Sequence, residues 1–213
     1  GITFSLDDKY IFYSKLDENH RARKIYRHKI GNFDGKDELI FEEKSEAITV
    51  SIEISSDEKY YFISTSDHNT SEQYYFASNE NKPTPKLIIK RERGVLYSVN
   101  SWDKKFYNHT NKSAEDFKID VCNNLESQDW KTFIPAKDEV LIGGLTFLNN
   151  WIIRSETSNA LDKLFVKNIS SNIEEELIFT EETVYVPGVT LTQRDRNTDE
   201  IYLGYSSPKT PSR

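Results

Sequence analysis

The sequence predicts an all-β fold, a partial β-propeller of about four to five four-stranded antiparallel blades. Three observations predict it. Apolar residues come in short β-branched and aromatic runs such as Tyr10-Ile11-Phe12-Tyr13, Tyr60-Tyr61-Phe62-Ile63 and Leu177-Ile178-Phe179. That is strand composition. Asp, Asn, Ser and Lys break these runs, and long helical patterns are scarce. Finally, one hairpin motif recurs along the chain at a near-constant interval, as propeller blades do.

The motif is clearest in its first two copies. Ser5-Leu6-Asp7-Asp8-Lys9-Tyr10-Ile11-Phe12-Tyr13-Ser14 matches Ser55-Ser56-Asp57-Glu58-Lys59-Tyr60-Tyr61-Phe62-Ile63-Ser64 fifty residues on. Polar residues that bond their own backbone form the turn, and an aromatic strand returns antiparallel. Ser101-Trp102-Asp103-Lys104-Lys105-Phe106-Tyr107 is a third copy. Phe147-Leu148-Asn149-Asn150-Trp151-Ile152-Ile153 is a fourth, and Asn197-Thr198-Asp199-Glu200-Ile201-Tyr202-Leu203 a fifth.

A third strand is expected after each hairpin, at Lys24-Ile25-Tyr26-Arg27-His28, Gln73-Tyr74-Tyr75-Phe76, Phe117-Lys118-Ile119-Asp120-Val121 and Lys163-Leu164-Phe165-Val166. A short apolar strand then closes each unit, at Leu39-Ile40-Phe41, Leu87-Ile88-Ile89, Phe133-Ile134 and Leu177-Ile178-Phe179. Four strands in each period of roughly 47 residues describe a blade. The expected blades are 1–45 (incomplete at the start), 46–92, 93–138, 139–182 and 183–213 (incomplete). The two ends are expected not to meet in one closed ring.

Composition sets further bounds. The 213 residues are 36% hydrophobic, 13% aromatic and 30% charged, with a formal net charge of −7. The aromatics exclude a disordered chain. No uncharged apolar run approaches the ~20 residues of a membrane-spanning helix. A single cysteine, Cys122, forms no internal disulfide and holds no structural zinc alone, so a reducing, cytoplasmic setting is expected. There is no methionine, even at position 1, and a piece of a longer protein is expected.

No chemistry-bearing motif emerges. None of the glycines, Gly1, Gly31, Gly35, Gly94, Gly143, Gly144, Gly188 and Gly204, brackets a serine as G-x-S-x-G, and no phosphate-cradling glycine loop exists. His20, His28, His68 and His109 lack metal-ligand spacing and read as surface or turn residues. Cys122, beside Val121, reads as a buried structural thiol. The basic run Arg21, Arg23, Lys24, Arg27, His28, Lys29 could bind anions or nucleic acid, but reads better as a solvated strand that deters edge pairing. Lys90-Arg91-Glu92-Arg93-Gly94 reads as an exposed turn, with a partner-facing loop as the alternative. The acidic pairs Glu42-Glu43, Glu174-Glu175-Glu176 and Glu181-Glu182 read as surface solubility, because neighbours on a strand face opposite ways. The sequons Asn69-Thr70-Ser71 and Asn168-Ile169-Ser170 are expected by chance. No catalytic, cofactor-binding or metal-binding residue is assigned, and no cofactor.

Several segments, in order along the chain, resemble the propeller of the prolyl oligopeptidase family, in its oligopeptidase B (protease II) branch. They are Asp17-Glu18-Asn19-His20-Arg21 with Ile25-Tyr26-Arg27-His28-Lys29-Ile30-Gly31, Leu39-Ile40-Phe41-Glu42-Glu43-Lys44 with Val50-Ser51, and His68-Asn69-Thr70-Ser71-Glu72. Glu92-Arg93-Gly94-Val95-Leu96-Tyr97-Ser98-Val99, Trp130-Lys131-Thr132-Phe133-Ile134-Pro135 with Val140-Leu141, and Tyr205-Ser206-Ser207-Pro208-Lys209-Thr210-Pro211 complete the set. The resemblance implies a seven-bladed ring over an α/β-hydrolase domain, in a serine peptidase that cleaves short peptides after Arg or Lys. The Ser–His–Asp triad would lie in the hydrolase domain, so this chain is expected to be inactive alone. Implied partners are that domain and short basic peptides, with no nucleic acid and no membrane; open blade edges are expected to self-associate. Two other readings stay open: a free-standing propeller that binds proteins, and a sugar-binding or sugar-cleaving propeller with paired carboxylates.

Overall fold

The structure is a computed structural model and describes residues 1–33, 35–178, 186–191 and 198–209. Phe179, the pair Glu181-Glu182, Asn197 and the tail from Thr210, all named above, lie outside the described residues.

Eighteen strands are described. The first sheet is β1 (Ile2–Phe4), β2 (Tyr10–Leu16), β3 (Ala22–Lys29) and β4 (Glu38–Glu42). The second is β5 (Thr49–Ile54), β6 (Tyr60–Ser66), β7 (Ser71–Ala77) and β8 (Lys86–Leu87). The third is β9 (Tyr97–Trp102), β10 (Lys105–Thr110), β11 (Lys118–Cys122) and β12 (Lys131–Ile134). The fourth is β13 (Leu141–Phe147), β14 (Trp151–Ser158), β15 (Leu161–Asn168) and β16 (Glu174–Leu177). A last pair holds β17 (Val186–Leu191) and β18 (Ile201–Ser206). Strands within each sheet are ordered as in the chain, so every sheet is an antiparallel meander, as the expected fold requires. The first sheet already has four strands, although β1 is only three residues long. β1 and β18 lie in different sheets.

The repeated motif folds through identical turn chemistry. Ser5 Oγ donates to Asp7 Oδ1 (2.7 Å) and accepts the Lys9 and Tyr10 amides. Ser55 Oγ donates likewise to Asp57 Oδ1 (2.8 Å) and accepts the Tyr60 amide. Asp8 and Glu58 both take φ +55°, which lets the turn close with Ser and Asp satisfying its amides. The third copy departs from this pattern. Its hairpin turns through Asp103 and Lys104 alone, at φ +46° and +61°, between paired Trp102 and Lys105. That is a two-residue primed turn, whose twist matches the strands. Ser101, aligned with Ser5, instead donates to Asp57 Oδ2 of the preceding sheet at 2.9 Å.

The chain divides into two compact units, Gly1–Lys112 with Asp120–Lys131, and Ser113–Ile119 with Thr132–Arg213. In the first unit, Phe12, Ile25, Val50, Ile52, Tyr61, Ile63 and Phe76 form the core between sheets one and two. Phe62, Ile88, Tyr97, Val99, Phe106, Cys122 and Leu125 form another core. Tyr61 and Ile63 face one core while Phe62 faces the other, because alternate residues point to opposite faces. A strand covered on both faces needs the unbroken apolar run seen there. In the second unit, Leu148, Ile153 and Leu164 pack with Trp151, Val166, Leu177, Val189 and Ile201.

Candidate functional site

The polar side chains singled out in the sequence sort into three groups: an ion-paired strand, two buried ion clusters and a cleft.

Four members of the basic run, Arg23, Lys24, Arg27 and His28, meet a neighbouring carboxylate. Arg23 meets Asp17 at 2.8 Å and Lys24 meets Glu42 at 3.1 Å. The Arg27 guanidinium is buried over the Tyr10 ring (4.4 Å), held by Glu38 and the Asn81 carbonyl. His28 Nδ1 lies 2.7 Å from Asp37 Oδ1, and the Tyr13 hydroxyl donates to the other Asp37 oxygen. The Tyr13 and His28 contacts hold Asp37 below the usual carboxylate range. Pairing along the strand argues against an anion site, but β3 is not the solvated outer strand the sequence suggested: it lies between β2 and β4, and Arg27 is buried.

Two acid–arginine clusters correct the sequence reading. Glu43 and Glu72 are buried, at 6% and 5% side-chain exposure, and Arg91 bridges them at 2.6 and 2.8 Å. Every oxygen of the two carboxylates has a donor. Ser45 N and Arg91 Nη2 serve Glu43. Arg91 N, Arg91 Nε and the Tyr74 hydroxyl serve Glu72. Arg91 is thus no exposed turn residue and Glu43 no solubilising one, although Glu92 and Arg93 are exposed. The links after β4 and β8 carry the side chains inward. In the second unit, buried Arg154 pairs with Glu156 and, at 2.6 Å, with Glu174, and lies over Phe165 at 4.4 Å. Lys137 adds a 2.6 Å bridge to Glu156. Burial lowers the Lys137 ammonium, as does the neighbouring Arg154 charge. Glu176 pairs with Lys163 at 3.2 Å, so within Glu174-Glu175-Glu176 two of the three are ion-paired. Strand periodicity gave no sign of these clusters, because their members come from linkers or sit where an apolar residue would be expected.

Cys122 is buried and forms no disulfide, and burial pushes its thiol up to about 11, as expected of a buried structural thiol. His20 sits in a turn at φ +57°. Asn168 caps its own turn, accepting the Ser170 and Ser171 amides. Among the described residues no three His, Cys, Asp or Glu side chains gather as a metal site, and no helix is long and apolar enough to cross a membrane. A cleft of about 300 Å³ opens in the first unit beside Leu6, Phe12, Arg27 and Phe76. The Glu43–Glu72–Arg91 cluster fastens sheets one and two together, whereas the Arg154 cluster joins β14 to β16 within sheet four. With a donor on every oxygen of Glu43 and Glu72, the first cluster holds its two carboxylates in place.

The family model for the prolyl oligopeptidase N-terminal β-propeller domain matches residues 1–213. Protease 2 of Moraxella lacunata is 28% identical over 214 residues, covering 95% of this chain and 29% of the relative. Dipeptidyl aminopeptidase BI of Pseudoxanthomonas mexicana is 25% identical, covering 100% of this chain and 29% of the relative. Oligopeptidase B from Trypanosoma brucei, solved with covalently bound antipain, superposes with a TM-score of 0.91 at 23% identity, over 100% of this chain and 31% of that one. Oligopeptidase B from Leishmania major gives 0.89 at 19% identity, over the same shares. The chain spans under a third of the length of these relatives. Hairpin repeat, meander sheets and full-length family match converge: the chain belongs to the prolyl oligopeptidase family, as its N-terminal β-propeller domain.

Proposed function

We propose that this chain is the propeller part of an oligopeptidase B-like serine peptidase that hydrolyses short peptides after Arg or Lys. The propeller restricts access to an active site carried by an α/β-hydrolase domain elsewhere in the protein. It admits short flexible peptides and excludes folded proteins, and domain closure gates the reaction. The family match over residues 1–213 carries this reading. The net charge of −7 supports it, since an acidic protein attracts cationic peptides. The single buried thiol supports a cytoplasmic setting. The partners are the hydrolase domain and short basic peptides, with no role for nucleic acid or a membrane.

The test is the coding sequence beyond Arg213 and its whole product. A G-x-S-x-G motif is expected there. The whole product is expected to cleave short Arg- and Lys-containing peptides while sparing the same sequences inside a folded protein. A frame that ends without that motif would overturn the reading and leave a free-standing, protein-binding propeller.

A further inference from the structure

The cleft of about 300 Å³ lies between sheets one and two, at the end that carries the β1–β2 turn and the link from β7 to β8. At the ~30 Å³ that a water molecule takes up, it has room for about ten heavy atoms. Its floor is apolar, with Phe12 and Phe76 buried and Leu6, 49% exposed, at the rim. Arg27 and Glu80, of opposite charge, line the same space. They lie close together, since the Arg27 guanidinium donates to the carbonyl of Asn81, the residue after Glu80, at 3.0 Å.

Both charges have capacity to spare. On Arg27, Nε and Nη2 donate to Glu38 Oε2 and Nη1 donates to the Asn81 carbonyl. A guanidinium has five N–H groups, so one is left on each terminal nitrogen. A guanidinium that holds one carboxylate can take a second, as Arg91 does with Glu43 and Glu72. Glu80 accepts the Ala77 amide on one oxygen (3.1 Å) and the Thr84 amide on the other (3.3 Å). Among the described residues no lysine or arginine meets it at ion-pair distance, so neutral donors alone answer its charge. Asp7, also on the cleft, is already paired with Lys9 at 3.0 Å.

We propose that this cleft binds a free α-amino acid with an aliphatic side chain, such as leucine. The ligand carboxylate takes the spare N–H groups of Arg27, its ammonium meets Glu80, and its side chain lies on Leu6, Phe12 and Phe76. Charge complementarity selects this class. A simple anion would satisfy Arg27 and be repelled by Glu80, and a simple cation the reverse. A zwitterion answers both charges at once with charge-assisted hydrogen bonds, and its apolar end covers the floor. The site lies wholly within this chain and does not rest on the peptidase reading.

NMR chemical-shift titration of the isotope-labelled 213-residue chain tests this. Three ligands are compared: leucine, N-acetyl-leucine, which lacks the ammonium, and leucine amide, which lacks the carboxylate. Leucine is expected to bind saturably at about millimolar affinity, as suits so small a ligand, and to shift the Leu6 and Glu80 amides. Each blocked form is expected to bind at least about tenfold more weakly. Glu80→Gln is expected to weaken leucine by the same factor and to leave N-acetyl-leucine unchanged, a pattern that a general loss of folding does not produce. No saturable shift with leucine up to about 50 mM would overturn the proposal. So would blocked forms that bind as well as leucine, whether or not Glu80→Gln folds, or shifts confined to residues away from the cleft.

Discussion

Asp7 shows how little of the first turn depends on distant contacts. The Ser5 hydroxyl, then Lys9, bring its carboxyl down to about 2. Because the folded value lies below the unfolded one near 4, the turn is favoured above pH ~4 and loses that support as pH falls through about 2. A carboxyl titration followed by NMR should give a midpoint near 2, and Ser5→Ala should move it back up. Cys122 obeys the opposite rule. Burial raises its thiol to about 11, so at pH 8 it should resist a thiol reagent until denaturant opens the core, and then react fully. Gly143 is set by close approach. A Cβ there would sit 2.0 Å from Ser155 Oγ and 3.0 Å from its carbonyl oxygen, at the β13 irregularity between Ile142 and Leu145.

Between elements, the fasteners are polar as often as apolar. The Tyr97 hydroxyl on β9 accepts the Gln73 amide of β7 at 2.7 Å and the Ile89 amide at 3.2 Å, and donates to the Ile89 carbonyl. Gln73 Oε1 in turn accepts the Val99 amide at 2.6 Å. Tyr97→Phe keeps the ring but strands two amides, so a loss of about 1–3 kcal/mol in denaturant midpoints is expected. Arg91 is the stronger case. Removing it leaves Glu43 and Glu72 buried side by side without their shared cation. Arg91→Ala should cost about 3–5 kcal/mol, the range for breaking a buried pair. Arg91→Lys should recover only part of it, because one ammonium cannot reproduce the fork that reaches both carboxylates. An Arg91→Ala protein as stable as the parent would refute the clasp.

For the whole molecule, the scaffold reading predicts that the purified chain hydrolyses no Arg- or Lys-containing peptide. A fluorogenic peptide assay checks this, and turnover that copurifies with the chain would contradict it. Much of the architecture was legible in the residues. The recurring Ser-x-Asp-x-Lys-aromatic stretch placed β1–β2 and β5–β6, and the short apolar runs placed β4 and β12, whereas β8 (Lys86–Leu87) and β16 (Glu174–Leu177) begin earlier than expected and share only Leu87 and Leu177 with their runs. Local turn chemistry and alternation are short-range effects, carried wholly by neighbouring residues. The Glu43–Glu72–Arg91 and Arg154–Glu156–Glu174 clusters were not legible. The first joins side chains from linkers and strands of different sheets, and no periodicity encodes which charges converge. Thus the sequence by itself determined the strands, their hairpins and the repeat that makes them blades. Tertiary structure alone decided which charges are buried and paired, because burial and partnership depend on residues far apart in the chain.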